Sequence, residues 1–246
     1  MTNATTLSIR DTFGWPMIKI LTSALEFEAA CGALSSRGLP LHLTAAKNWD
    51  HFLLLRLLES RDRNIEILDC GSGGGLTLEF LYRFGFKNIR GLDLVLPKVK
   101  LKRRIKDLFN IGGFQVRSVI GQGDICHTRF RNERFDVLTS ISVLEHNVDV
   151  RAFLSEAARL LKPGGMLFAT FDYWETTDEF KAEAKEACGL PWHIFSRKAA
   201  EDLIRMASDF GLMPLETSAI PACGERVVSY GGRSYTFMAI ALVKKA

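Results

Sequence analysis

The chain is short of several things, and each shortage closes off a class of protein. Five of its 246 residues are cysteine (Cys31, Cys70, Cys126, Cys188 and Cys223), scattered, odd in number and without a C-x-x-C pair. That usage supports neither a disulfide framework nor a zinc cluster, and it suits a reducing compartment. No stretch reaches the roughly 18 uninterrupted apolar residues of a membrane span. Met1 to Arg10 is polar rather than signal-like, so no membrane contact and a cytoplasmic location are expected. The net charge is only +4, which by itself points to no polyanionic partner. Internal repeats and low-complexity tracts are absent. With 47% hydrophobic and 24% charged residues, the composition is that of an ordinary globular protein.

What is present is a regular alternation of apolar patterns. Spacing predicts a helix over Met17–Leu34, closing near Gly38-Leu39-Pro40. It predicts a second from Thr44 to about Glu59, with Thr44 as cap and Trp49, Phe52, Leu53 and Leu57 on one face. A strand is expected over Ile65–Asp69, a helix over Leu76–Phe84 ended by Gly85, and a strand over Asn88–Leu94. A helix opened by Pro97 then reaches Asn110, followed by strands near Gln115–Ile120 and Phe135–Ile141. Beyond these come a helix over Val150–Leu161, stopped by Lys162-Pro163-Gly164-Gly165, and a strand over Met166–Phe171. A helix capped by Ser196 runs to Phe210 before Gly211, and strands over Met213–Ala219 and Tyr235–Val243 close the chain. Such alternation implies an α/β fold with a doubly wound, mostly parallel sheet and helices on both faces. The expected organisation is an N-terminal helical cap over residues 1–62 and a ligand-binding domain over residues 63–246.

The most informative run is Ile67-Leu68-Asp69-Cys70-Gly71-Ser72-Gly73-Gly74-Gly75. A strand enters a glycine-dense turn that opens a helix, an arrangement in which backbone amides approach a nucleotide-like ligand closely. A dinucleotide fingerprint would need a sixth-position glycine, and counting from Gly71 that position is Leu76. Asp69, two residues before the loop, would repel a pyrophosphate. It suits a ligand whose adenosyl half carries a cationic partner, as S-adenosylmethionine does. The D-x-G-x-G-x-G run resembles the first motif of the class I S-adenosylmethionine-dependent methyltransferases.

Further stretches carry the same resemblance in order, covering about residues 65 to 243. Asp93 ends the next strand, where a carboxylate can accept from both ribose hydroxyls, with Leu94 beside it. Gly123-Asp124-Ile125 resembles the family's triplet that reads adenine through the carboxylate and the neighbouring backbone amide. Arg134 to His146 resembles its fourth strand and the loop toward the methyl acceptor, with Ser140 on the strand and Leu144-Glu145-His146 at its end. Leu160 to Leu167 resembles its L-L-K-P-G-G turn, and Trp192 to Ser196 its approach to the later strands. The resemblance implies a seven-stranded sheet with the last strand antiparallel. It implies S-adenosylmethionine as cofactor, held by Asp69, Gly71, Ser72, Gly73, Gly75, Asp93, Leu94, Asp124, Ile125 and Ser140, with Lys47 and Trp49 in a helix lying over the ligand.

For transfer to a hydroxyl, the protein must align the reactants, exclude water and remove a proton. His146 is the first candidate base, and Asp172 and His193 are the others. Trp15, Trp49, Tyr173, Trp174 and Trp192 are candidates to enclose the acceptor. A metal held by Glu145, His146, Asp172 and His193 is conceivable by ligand type, but no tight spacing supports it, and none is assigned. The expected activity is O-methylation of a small molecule, such as a sugar or secondary metabolite. The alternatives are N- or C-methylation, an RNA or protein substrate, or a non-catalytic cofactor-binding module. The basic run Lys98, Lys100, Lys102, Arg103, Arg104 and Lys106 reads as a solvated helix face. Ser140-Ile141-Ser142-Val143 stands where an N-P-P-Y-type motif would favour flipped bases, so nucleic acid is not the expected partner.

Overall fold

A computed structural model describes residues 18–95, 120–177, 185–187, 189–214 and 219–245. The basic run at 98–106, Cys188, Trp15, the helix expected from Pro97 and most of the strand expected before Ile120 lie outside the described residues. The elements in chain order are β1 (Ile18–Ile20), α1 (Ala24–Ser35), a 3-10 turn (Ala45–Lys47), α2 (Asn48–Leu58), β2 (Ile67–Cys70), α3 (Leu76–Arg83) and β3 (Ile89–Asp93). Then follow β4 (Ile120–Gln122), β5 (Phe135–Ile141), α4 (Val150–Leu160), β6 (Leu161–Tyr173), β7 (Lys185–Ala187), β8 (Leu190–Trp192), α5 (Arg197–Asp209), β9 (Leu212–Pro214), β10 (Val228–Tyr230) and β11 (Arg233–Lys244).

The main sheet runs β1-β11-β6-β5-β2-β3-β4, with β9 and β10 also paired to β11. Strands β2 to β6 are mutually parallel, whereas β11 is antiparallel to β6. Among the described residues this makes nine strands rather than the expected seven, because the long β11 takes three short antiparallel partners. Adjacent strand residues fall on opposite faces, so Ile67, Val137 and Phe168 join one apolar core and Leu68, Leu138 and Leu167 the other. A sheet buried on both faces reads as continuous apolar runs, which is why these strands were visible in the sequence. No helix among the described residues is long and apolar enough to cross a membrane.

Two expectations need correction. The helix expected from Met17 begins only at Ala24, because Ile18 and Ile20 are buried about the more exposed Lys19 and pair with Ile240 and Met238. Three residues of period-two burial belong to an edge strand. The second helix is also not capped by Thr44, whose side chain makes no cap bond. Buried Asn48 shapes that turn instead. Its Oδ1 accepts from His42 N at 2.7 Å, and its Nδ2 donates to the His42 and Ala45 carbonyls. The helix it opens is buried almost all round, including Asp50 and His51, rather than on one face. Ser196, by contrast, caps α5 as expected by accepting from Ala199 N at 3.1 Å.

Candidate functional site

Strand order reverses between β2 and its neighbours β3 and β5, so a crevice opens at the carboxyl ends of these strands. The glycine run stands there. Gly71 N and Ser72 N donate to the Leu92 carbonyl at 2.8 and 3.1 Å, and Gly75 N donates to Ser72 O at 2.7 Å. Gly71, Gly73 and Gly75 all have positive φ, and Gly75 is the cap residue of α3. Gly71 also lies tight against Val143, where a Cβ would sit 2.7 Å from Cγ1 and closer still to Cγ2. Beneath the loop, a Cβ on Gly91 of β3 would collide with Ser72 Oγ and lie 2.7 Å from Leu78 Cδ1. Sequence reasoning passed over Gly91, although a glycine inside a strand signals a close approach.

Two carboxylates flank the loop. Asp69 is buried opposite Thr139 on β5, whose hydroxyl donates to Oδ1 at 2.7 Å, while Oδ2 has no partner. Burial pushes the Asp69 carboxyl up to about 6, against the pull of the Thr139 hydrogen bond. Asp93, at the end of β3, accepts from Gly73 N at 2.7 Å through Oδ2 and from Val95 N at 3.0 Å through Oδ1. Each of its oxygens keeps a spare lone pair. Leu94 and Val95 beside it are largely exposed, giving the crevice an apolar edge. Gly123 N donates to Asp93 O, bringing the β4 turn to the same edge. There Asp124 accepts from Cys126 N at 2.8 Å and faces His127, while Ile125 is buried in the core. The Cys126 amide chiefly holds the Asp124 carboxyl below its ordinary range.

The opposite wall is built from the ends of β5 and β6. Ser140 is fully buried with an unpartnered hydroxyl. Ser142, at φ 54°, turns the chain into Val143-Leu144-Glu145-His146. Lys47 reaches across, hydrogen bonding Ser142 Oγ and pairing with Asp172 Oδ1 at 3.3 Å. Trp192 Nε1 donates to Asp172 Oδ2 at 2.7 Å. His193 N donates to the Glu145 carbonyl at 3.0 Å, and the Pro191 carbonyl lies beside the His146 ring. His146, Asp172 and His193, far apart in sequence, therefore stand together. Partial loss of water lowers the pKa of both imidazoles, and the Asp172 carboxylate opposes that shift at each.

Not every sequence candidate lines this crevice. Trp49 is buried in the core, and its Nε1 donates to Glu26 Oε2 at 3.3 Å. Tyr173 is also fully buried, whereas Trp174 is half-buried under the Arg226 guanidinium, 4.5 Å from its ring centre. Among the described residues, no group of three or more His, Cys, Asp or Glu is placed to hold a metal ion. The buried carboxyl of Asp50, close to Lys47, carried no signal in sequence, since it sits in an apolar helix without a motif.

Residues 68–169 match the family model described as a methyltransferase domain. The chain is similar to the ubiquinone biosynthesis O-methyltransferase of Paramagnetospirillum magneticum, with 39% identity over 102 residues, 42% of this chain and 38% of that protein. The enzyme of the same name from Bartonella tribocorum is 30% identical over 105 residues, 43% of this chain and 40% of that protein. The chain thus spans about two fifths of the length of the curated relatives it matches. In fold, it is similar to the YcgJ protein from Bacillus subtilis, with TM-score 0.59 at 17% identity over 80% of this chain and 98% of that one. A geranyl diphosphate C-methyltransferase from Streptomyces coelicolor A3(2), solved with S-adenosyl-L-homocysteine, gives TM-score 0.55 at 16% identity over 85% and 89% of the two chains. Residues 68–169 thus match a methyltransferase domain, and the fold around them is similar to that of S-adenosylmethionine-dependent methyltransferases of known structure.

Proposed function

We propose that this protein transfers a methyl group from S-adenosylmethionine to a hydroxyl oxygen of a small molecule. The observation that carries this assignment is the convergence of His146, His193 and Asp172 beside a glycine loop flanked by two carboxylates. The loop suits that cofactor. Asp69 offers a buried carboxylate oxygen without a partner, fit for a cationic group, and Asp93 offers lone pairs for two ribose hydroxyls. Gly71, Ser72, Gly73 and Gly75 would shape the cradle, Leu94 and Asp124 with the Ile125 backbone amide would face the adenine, and Ser140 would close the floor. When bound, the cofactor supplies an activated methyl group.

The chain's own residues would do the rest. His146 is neutral near physiological pH and would take the hydroxyl proton as the acceptor attacks. Asp172 is held by Lys47 and Trp192, so it would orient the acceptor side rather than act as the base. Lys47 comes from the segment just before α2, in support of residues 1–62 as a cap that completes the site. Trp174 and Trp192 would help to exclude water. Relatives named O-methyltransferases support oxygen as the accepting atom.

The test is to supply S-adenosylmethionine labelled in its methyl carbon with a panel of phenols, sugars and other hydroxyl compounds. S-adenosylhomocysteine release and the position of the label are then followed. The expected product carries the label on oxygen. Label on nitrogen or carbon would contradict the acceptor assignment, and cofactor binding without turnover on any acceptor would contradict the catalytic one.

A further inference from the structure

Buried carboxyls are costly unless paired or protonated, and the carboxyl end of β6 gathers more of them than one cation can balance. Asp50, Glu145 and Asp172 are 0%, 1% and 4% exposed, and the Lys47 ammonium faces all three. Asp172 takes the Lys47 pairing and the Trp192 hydrogen bond. Glu145 Oε2 has no partner, and the buried Asp50 carboxyl has only the buried Thr170 hydroxyl beside it. The other titratable groups facing this cluster are His146 on the loop after β5, His193 after β8 and Tyr235 on β11. Burial pushes the Asp50 carboxyl up to about 7 and raises Glu145 well above its ordinary value, with Lys47 opposing both shifts. For Lys47 itself, burial is outweighed by the surrounding carboxylates, which keep it charged.

This cluster abuts the glycine loop on two sides. Val143, two residues before Glu145, packs against Gly71. His51, next to Asp50, has Nε2 3.4 Å from Thr77 Oγ1 in the first turn of α3. The segments that carry Asp50 and Glu145 thus pack directly against the loop in which a ligand's charge would arrive.

Resting on the cofactor assignment above, we propose that Asp50 and Glu145 form a proton store answering to the cofactor's charge, which gives up a proton when S-adenosylmethionine binds but not when S-adenosylhomocysteine binds. The two ligands share the adenosine, the ammonium and the carboxylate, and differ in one methyl group and one positive charge. The groups that the two ligands share would meet the same residues in both, so a difference in proton release isolates that charge. An emptied carboxylate then gives the acceptor's proton, once His146 has taken it, a buried place to rest. The net charge of the pocket is the same before and after the reaction.

Calorimetric titration of the full chain with each ligand, at about pH 6.5 in buffers of different ionisation enthalpy, reads the protons directly. S-adenosylmethionine should release about half to one proton more than S-adenosylhomocysteine, and the affinity ratio of the two should rise by up to about tenfold per pH unit between about pH 5.5 and 7. Combining Asp50→Asn with Glu145→Gln should remove both effects. If that variant does not fold, Asp50→Asn and Glu145→Gln measured singly should each reduce the difference between the two ligands, whereas a difference unchanged in both would overturn the store. Equal proton counts for the two ligands would overturn the proton store and leave the methyltransferase assignment standing. Failure of either ligand to bind at millimolar concentration would overturn the cofactor assignment and the store with it.

Discussion

Replacing His146 by alanine is expected to lower turnover by about 10²- to 10⁴-fold while leaving cofactor affinity nearly unchanged. The imidazole stands at the end of the β5 loop beside the Pro191 carbonyl, and loss of water lowers its pKa from the ordinary 6.5. It therefore enters neutral solution with a lone pair free to accept a proton. The sign of the pH dependence follows. As pH falls through a value below 6.5 the ring becomes protonated and the rate drops, whereas above that value the rate is flat with respect to this group. The variant should lose this acid limb as well as the rate. Turnover and pH–rate profiles on a hydroxyl acceptor check both, and an intact rate across neutral pH would assign proton removal to another group, with His193 the nearest alternative.

Introducing a methyl group at Gly71 should unsettle the cradle itself. The residue has φ 83°, a left-handed conformation that an alanine adopts at a cost of about 1–2 kcal/mol. Its added Cβ would also drive into the Val143 side chain, an overpacking of about 1–3 kcal/mol. Together these predict a loss of about 2–5 kcal/mol. In a chain of this size that lowers Tm by roughly 5–15 °C. Adding Val143→Ala should recover part of the loss, since it relieves the collision but not the backbone strain. Thermal unfolding of the single and double variants separates the two contributions. A Gly71→Ala protein as stable as the parent would mean that the loop does not hold this conformation.

The parallel centre of the fold was legible because strands buried on both faces leave continuous apolar runs, and the glycine loop between β2 and α3 was legible because its residue types have few other uses. Short edge elements were not. β1 and β10 offer three residues each, and their pairing with β11 is decided by what β11 leaves open, which no local pattern records. The hairpin of β7 and β8 is similar, yet it carries Trp192 to Asp172 and His193 to Glu145. At the site, acidic and histidine residues could be named from their motifs, but not their company. Asp50 looks like any first-turn acid of a helix, and only the packing of that helix against the sheet buries it near Lys47. Lys47 itself was expected over the cofactor, and the fold sets its ammonium between Ser142 and Asp172.

Calorimetry of the parent beside Asp93→Ala tests most directly whether the loop and the end of β3 hold S-adenosylmethionine. The parent should bind one equivalent. The variant should bind about 100-fold more weakly or worse, because two charge-assisted hydrogen bonds to the ribose, each contributing about 1.5–3 kcal/mol, are removed. An Asp93→Ala protein that folds as the parent does and binds the cofactor with the same affinity would contradict the site.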